Sequence, residues 1–221
     1  MQDNDDETNR PASPACLLHE VDPAYAGLPP VTPAEVYVWR KQEREALIAR
    51  RMAIAPETRQ RWSEAIARGL QEAIGDFRGR AVSFYWPFRG EPDLRPLMET
   101  VWQAGGRALL PVVVEKKAPL VFKPWRQGEA LGRGVWNIPV PETGETALPD
   151  TVIAPVVGYD EGCFRLGYGG GFFDRTLAAM QDMPLVIGVG YSLQSIATIH
   201  AQPHDIAMSM IVTETATHLP R

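Results

Sequence analysis

The chain predicts an α/β fold, a three-layer α/β/α sandwich around a mostly parallel sheet. Two observations predict it. Short β-branched and aromatic segments alternate with segments of helical apolar spacing, an order that places helices between parallel strands. A glycine-rich stretch, Gly167 to Gly171, lies just beyond the end of one such strand, where ligands collect in open sheets of this Rossmann-like kind.

The ordered region is expected to begin at "TPAE". Thr32 caps a helix, Pro33 suits its first turn and Glu35 completes a capping box. Val36, Trp39, Ala46, Leu47 and Ile54 recur at helical spacing. Pro56 interrupts, and a second helix follows with Trp62, Ile66, Leu70 and Ile74 on one face, its end flanked by Gly75 and Gly79. "RAVSFYW", Arg80 to Trp86, reads as a buried strand. "DLRPLMETVWQAGG" reads as a helix closed by glycine, with Pro96 confined to its first turn. "RALLPVVV" and "LVFKPW" are strands, and residues 126–150 are a long Gly- and Pro-rich connection. "TVIAPVVGY" is a buried strand, "FFDRTLAAMQDM" a helix, and "LVIGVGY" and "IAMSMIVTE" complete the set.

Residues 1–32 are acidic, rich in proline and without apolar periodicity, and are expected to be a flexible tail. Residues 33–221 are expected to be a single α/β domain. The 221 residues are 45% hydrophobic and 22% charged, with a net charge of −5. That balance speaks against a general nucleic-acid surface, and no apolar run is long enough to span a membrane. The first residues lack the basic start and apolar stretch of a secretory signal. There are two cysteines, Cys16 and Cys163, and no structural disulfide is expected. The expectation is a cytoplasmic monomer acting on small molecules.

The glycine stretch carries the most chemistry. Backbone without Cβ atoms takes positive φ and lets a ligand touch the main chain, and successive N–H groups ahead of a helix make an anion site. A Walker loop needs Lys-Ser or Lys-Thr where Phe172 stands, and a dinucleotide fingerprint needs glycine there. The loop fits neither pattern, and a glycine turn packed on a neighbouring strand is the plain alternative. Arg165 offers a two-pronged donor for phosphate, and Asp174 offers an oxygen ligand for Mg²⁺. The two are also placed to form a salt bridge that pins the loop.

"PVVGYDEGCFRLGYGGGFFDRTL" resembles the signature region of the 5-formyltetrahydrofolate cyclo-ligases, also called methenyltetrahydrofolate synthetases. "RKQEREALIARR", "FYWPFRGEPDLRPLM", "GVWNIPVP" and "QPHD" follow the family's order, and the likeness runs from about Trp39 to Glu214. The resemblance implies conversion of 5-formyltetrahydrofolate to 5,10-methenyltetrahydrofolate with Mg²⁺ and ATP. It implies that Arg165 and Asp174 are catalytic, with Asp174 on the metal. Arg40, Arg44, Arg165, Leu166, Gly167, Tyr168, Gly169, Gly170, Gly171, Phe172, Phe173 and Asp174 would bind ATP. Glu91, Asp93, Trp136 and Phe173 would bind folate, with Glu91 or Asp93 accepting from the aminopyrimidine edge of the pterin and Trp136 stacking on a ring. His204 and Asp205 would give structural support. This chain differs from the family pattern at Arg40, where lysine is usual, and at Phe172 and Phe173, where tyrosines are usual. Those differences leave two alternatives: a non-catalytic nucleotide or folate binder, and an ATP-dependent enzyme with another formylated substrate.

Other residues are weaker candidates. His200 and His204 have a zinc-like interval, but Pro203 argues against the helix that would align them. Cys163 borders the loop without an evident base and reads as a packing residue. Tyr85 and Trp86 read as core, and Lys116 and Lys117 as an exposed turn.

Overall fold

The computed structural model describes residues 32–221, so the expected tail falls, up to residue 31, outside the described residues. The chain divides into two units, residues 1–40 and 41–221. In the first, the predicted capping box is formed. The Thr32 N–H donates to Glu35 Oε2 at 2.8 Å, and the Glu35 N–H donates to Thr32 Oγ1 at 3.3 Å. It opens helix α1 (Pro33–Met52). Val36 is buried, whereas Ala46 is exposed, so the apolar face is narrower than the spacing predicted.

In residues 41–221, helix α2 (Pro56–Ile74) buries Ile66, Leu70 and Ile74, and burial of such side chains stabilises the fold by about 1.5–3 kcal/mol each. It ends where Gly75 takes φ 76°, a conformation cheap only for glycine. The sheet is built from β1 (Ala81–Ser83), β2 (Arg107–Val112), β3 (Val121–Pro124), β6 (Thr151–Pro155), β9 (Leu185–Val189), β10 (Met210–Val212) and β11 (Thr217–His218). Its order is β11-β10-β9-β6-β1-β2-β3. The five central strands are parallel, and the two outer pairings, β2–β3 and β10–β11, are antiparallel.

Alternation along the strands makes two cores. Val82, Ala108, Leu110, Ile153, Ile187 and Val212 meet α2 and helix α3 (Arg95–Gln103) on one face. Ala81, Leu109, Val152, Ala154, Val186 and Ile211 meet Leu177 of helix α4 (Phe172–Ala178) on the other. This is the predicted three-layer α/β/α sandwich. Tyr85 and Trp86 belong to the first core, as expected of strand-end aromatics.

Four differences from the sequence reading bear on the site. The first predicted strand leaves the sheet after Ser83, and the chain turns through Arg89 (φ 47°) and Gly90 (φ 74°), which sets Glu91 into the interior. The 126–150 connection contains a small hairpin, β4 (Leu131–Arg133) with β5 (Pro139–Pro141), joined by a 3₁₀ turn at Val135–Asn137. The strand after Thr151 ends at Pro155, and a separate hairpin follows, β7 (Gly158–Tyr159) with β8 (Arg165–Leu166). Asp160 braces that hairpin, its carboxylate accepting from the N–H groups of Gly162, Phe164 and Ile199. Finally, α4 stops at Ala178 instead of continuing to Met183. The N–H groups of Ala179 and Met180 donate three residues back, to Thr176 and Leu177, and such tighter bonds close a helix.

Candidate active site

The glycine loop leaves β8 at Leu166 and enters α4 at Phe172. Leu166 is buried with Leu47, Val157 and Ile199, which anchors the loop's first end. Three arginine side chains lie against the next positions. A Cβ on Gly167 would lie 2.6 Å from Arg165 Nη1, one on Gly171 would lie 2.8 Å from Arg175 Nη1, and one on Gly169 would lie 3.4 Å from Arg44 Cζ. Gly169 and Gly171 also have φ of 87° and 62°. Arg44 Nε donates to Gly167 O at 2.7 Å, and Arg175 Nη2 donates to Gly170 O. The loop is therefore a backbone ribbon pressed between guanidinium groups.

Arg165 is buried and donates to Asp174 Oδ2 at 2.8 Å, while Asp174 Oδ1 accepts from the Ile206 N–H at 3.3 Å. The pinning salt bridge read from the sequence is thus present. Burial pushes the Arg165 guanidinium down, and the carboxylates of Asp174 and Asp205 pull it back up; an arginine stays charged under such opposition. The Nε atoms of Arg165 and Arg175 are buried donors without a hydrogen-bond partner in the structure. Unsatisfied buried donors of a charged group are costly, and here two of them border the same loop. α4 follows the loop directly and has seven residues, and the arginines add to the loop's positive character.

The second half of the site centres on Glu91. Its side chain is 2% exposed. Oε2 accepts from the Phe88 N–H at 2.9 Å and Oε1 accepts from the Tyr168 hydroxyl at 2.9 Å. Arg51, wholly buried in the last turn of α1, lies 3.9 Å from that carboxylate. It donates to Arg89 O, Val156 O and the Tyr168 hydroxyl at 2.9, 3.2 and 2.6 Å. Burial pushes the Glu91 carboxyl up to about 7, against the pull of Arg51, the Phe88 N–H and Tyr168. The Tyr168 phenol is pushed up too, by burial and by Glu91. The rings of Phe88, Trp136 and Tyr168 surround this group: Phe88 and Trp136 are nearly parallel at 6.4 Å, and Tyr168 is tilted against both. Trp136 is half exposed and held at φ 56° on the tip of the β4–β5 hairpin.

The structure thus brings together Arg44, Arg165, Leu166, Gly167, Tyr168, Gly169, Gly170, Gly171 and Asp174 around the loop. Glu91 and Trp136 gather around Tyr168. Phe173 lies under the Arg165 guanidinium and Phe172 under Arg175. Arg40 is buried on α1 within the first unit. Asp93 is turned away from this group: its carboxylate pairs with Arg95 at 2.6 Å on the surface. Cys163 is buried, its thiol pushed up by burial. The His204 side chain is exposed beside Asp205. Sequence reasoning missed Arg51 and Phe88, and set Arg175 beside the loop without giving it a role. Arg51 had a partial signal, since it shares one helical face with Arg44 and Leu47. Phe88 had none, because its role follows from a turn that spacing does not reveal.

Residues 36–214 match the sequence profile of the 5-formyltetrahydrofolate cyclo-ligase family. The chain belongs to that family. A 5-formyltetrahydrofolate cyclo-ligase of Mycolicibacterium smegmatis is 33% identical over 182 residues, covering 79% of this chain and 93% of the relative. One from Escherichia coli K12 is 32% identical over 171 residues, covering 74% and 94%. Among solved structures, the 5,10-methenyltetrahydrofolate synthetase of Aquifex aeolicus superposes with a TM-score of 0.72 at 28% identity, over 82% of this chain and 93% of that one. The fold is also that of a 5,10-methenyltetrahydrofolate synthetase from Mycoplasma pneumoniae, with a TM-score of 0.66 at 20% identity over 79% and 98%. The cyclo-ligase fold and the mostly parallel sheet agree with the sequence reading.

Proposed function

We propose that the protein is a 5-formyltetrahydrofolate cyclo-ligase that uses ATP to make 5,10-methenyltetrahydrofolate, releasing ADP and phosphate. One observation carries this reading beyond family membership. A glycine loop bordered by unpartnered guanidinium donors is joined, through one tyrosine, to a buried carboxylate ringed by aromatic side chains. The first half suits a polyphosphate, the second a flat heterocycle with N–H donors.

The chemical difficulty is the formyl oxygen, an amide-like group that leaves poorly. In the proposed reaction this oxygen attacks the γ-phosphorus of ATP, an O–P bond forms and the bond to the β-phosphate bridging oxygen breaks. N10 then attacks the formyl carbon and loses its proton, and the C–O bond breaks as phosphate departs. The protein's part is positioning and charge stabilisation. Arg44, Arg165 and Arg175 neutralise the phosphates together with the N–H groups from Gly167 to Gly171. Phe172 and Phe173 line the loop beneath Arg175 and Arg165. Glu91 accepts from the pterin, and Trp136 and Phe88 stack on its ring.

For Mg²⁺, the donor set is partly suitable. Among the described residues no group of three or more His, Cys, Asp or Glu side chains is placed to hold a metal ion. Mg²⁺ is instead commonly held by one or two carboxylates, water and substrate phosphates. Asp174 fits that pattern, with Asp205 beside the same arginine. When bound, the ion supplies charge neutralisation at the phosphates. Localisation in the cytoplasm and a monomeric state belong to this reading; no described helix is long and apolar enough to cross a membrane.

The test is turnover: protein, Mg-ATP and 5-formyltetrahydrofolate are mixed and methenyl product is followed by absorbance. Product formation dependent on ATP is the expected result. Tight binding of both ligands without product would favour the non-catalytic binder, a reading supported by phenylalanine at 172 and 173, where the family's tyrosine hydroxyls are missing. ADP release with a different formylated compound would favour another substrate.

A further inference from the structure

Tyr168 belongs to both halves of the site. Its backbone lies between Gly167 and Gly169 in the loop. Its hydroxyl accepts from Arg51 at 2.6 Å and donates to Glu91 Oε1 at 2.9 Å. Its ring lies 5.9 Å from that of Phe88 and 5.8 Å from that of Trp136, centroid to centroid.

Glu91 is poorly placed to receive a ligand while this arrangement holds. A heterocycle with two adjacent N–H donors needs a lone pair on each carboxylate oxygen along an open approach. Oε2 already accepts from Phe88 and Oε1 from the phenol, and the side chain is 2% exposed. Phe88 is fixed by the Arg89–Gly90 turn, which brings its own N–H onto the carboxylate. Trp136 is half exposed at the edge of the group. Tyr168 is the member of the cover with glycine on both sides, one of them at φ 87°; the loop carbonyls around it are held by Arg44 and Arg175, and a phosphate that takes up those guanidinium groups leaves this backbone free to turn.

We propose that Tyr168 is a positioning residue that couples the two substrates: phosphate binding by the glycine loop draws the phenol off Glu91, and the uncovered carboxylate takes the folate ring. This inference rests on the cyclo-ligase reading above. It makes the binding of the two substrates mutually reinforcing, since linkage requires the same factor in both directions. A hydroxyl bond to a carboxylate is the contact exchanged, and its size sets the coupling at about tenfold.

The experiment is a calorimetric titration of the full chain with 5-formyltetrahydrofolate, alone and in the presence of saturating Mg²⁺ and a non-hydrolysable ATP analogue. It is made on the wild type and on Tyr168→Phe, which keeps the ring and removes the hydroxyl. In the wild type the nucleotide analogue is expected to tighten folate binding about tenfold. In Tyr168→Phe, folate alone is expected to bind more tightly than to the wild type, and the analogue to change its affinity by less than about twofold. A purely structural role for the hydroxyl would lower thermal stability and leave the coupling factor intact. Equal coupling in both proteins, or weaker folate binding by the nucleotide-free variant, overturns the proposal and leaves the functional reading standing. A wild type that takes up neither ligand overturns both.

Discussion

Asp174 and Glu91 are two carboxylates of the site, and their surroundings differ. Asp174 is partly open and is held by a direct bond from Arg165 at 2.8 Å. Glu91 is sealed, its nearest cation stands 3.9 Å away, and burial outweighs every favourable contact, raising its carboxyl to about 7. The difference teaches how placement divides labour. A carboxylate that touches an arginine and stays partly open suits a site that must manage phosphate and metal charge. One sealed from water suits directional hydrogen bonds from neutral N–H donors, which low-dielectric surroundings strengthen.

The sharpest way to break this comparison is to remove Asp174. Asp174→Ala is expected to lower kcat by about a hundredfold or more while circular dichroism shows an unchanged fold. Unaltered turnover would remove Asp174 from phosphate and metal chemistry.

Glu91→Gln comes next. KM for folate is expected to rise about tenfold, with KM for ATP changed less than about twofold; equal weakening of both would end the assignment to folate. The same variant tests the burial argument through pH. A carboxyl whose folded value is raised stabilises the fold fully below its unfolded value, and that contribution is lost as pH rises through the folded value of about 7. The Tm of the wild type is therefore expected to fall relative to that of Glu91→Gln between about pH 5 and pH 8, where the free and buried carboxyl titrate. A constant difference across that range would show that Glu91 is not raised.

Smaller effects test the surroundings. Gly171→Ala meets both a positive φ and the Arg175 guanidinium, and is expected to cost about 1 kcal/mol of stability and to weaken ATP binding. Asp93→Ala is expected to do least. Its carboxylate pairs with Arg95 on the surface, so stability should change by under about 1 kcal/mol and KM for folate by less than about twofold. A large rise in that KM would restore Asp93 as Glu91's rival.

Much of this site was legible in the sequence because its chemistry is local. The run from Arg165 to Asp174 holds cation, bare backbone and carboxylate within ten consecutive positions, and the structure keeps them together. The alternation of strand and helix patterns likewise predicted the three layers. What stayed hidden depends on where the chain turns. Arg89 and Gly90 carry Glu91 inward and Asp93 outward, two neighbours that composition could not separate. The hairpin within 126–150 lifts Trp136 against Phe88 through two consecutive left-handed residues, Trp136 and Asn137; asparagine tolerates that region, but nothing in the sequence favours it for tryptophan. Arg51 was hidden for a different reason: a fully buried guanidinium is read by default as a solvated face, and its three acceptors come from distant parts of the chain.

The antiparallel pairings at the two ends of the sheet have a further consequence. An open sheet offers its outermost strands as templates on which another chain can add itself. Here one margin, β3, carries Lys123 and ends at Pro124, and the opposite margin, β11, is only two residues long. A proline cannot donate to a ladder, a lysine resists desolvation against a neighbour, and two residues give an incoming strand little to grip. The fold thus discourages strand addition at both borders.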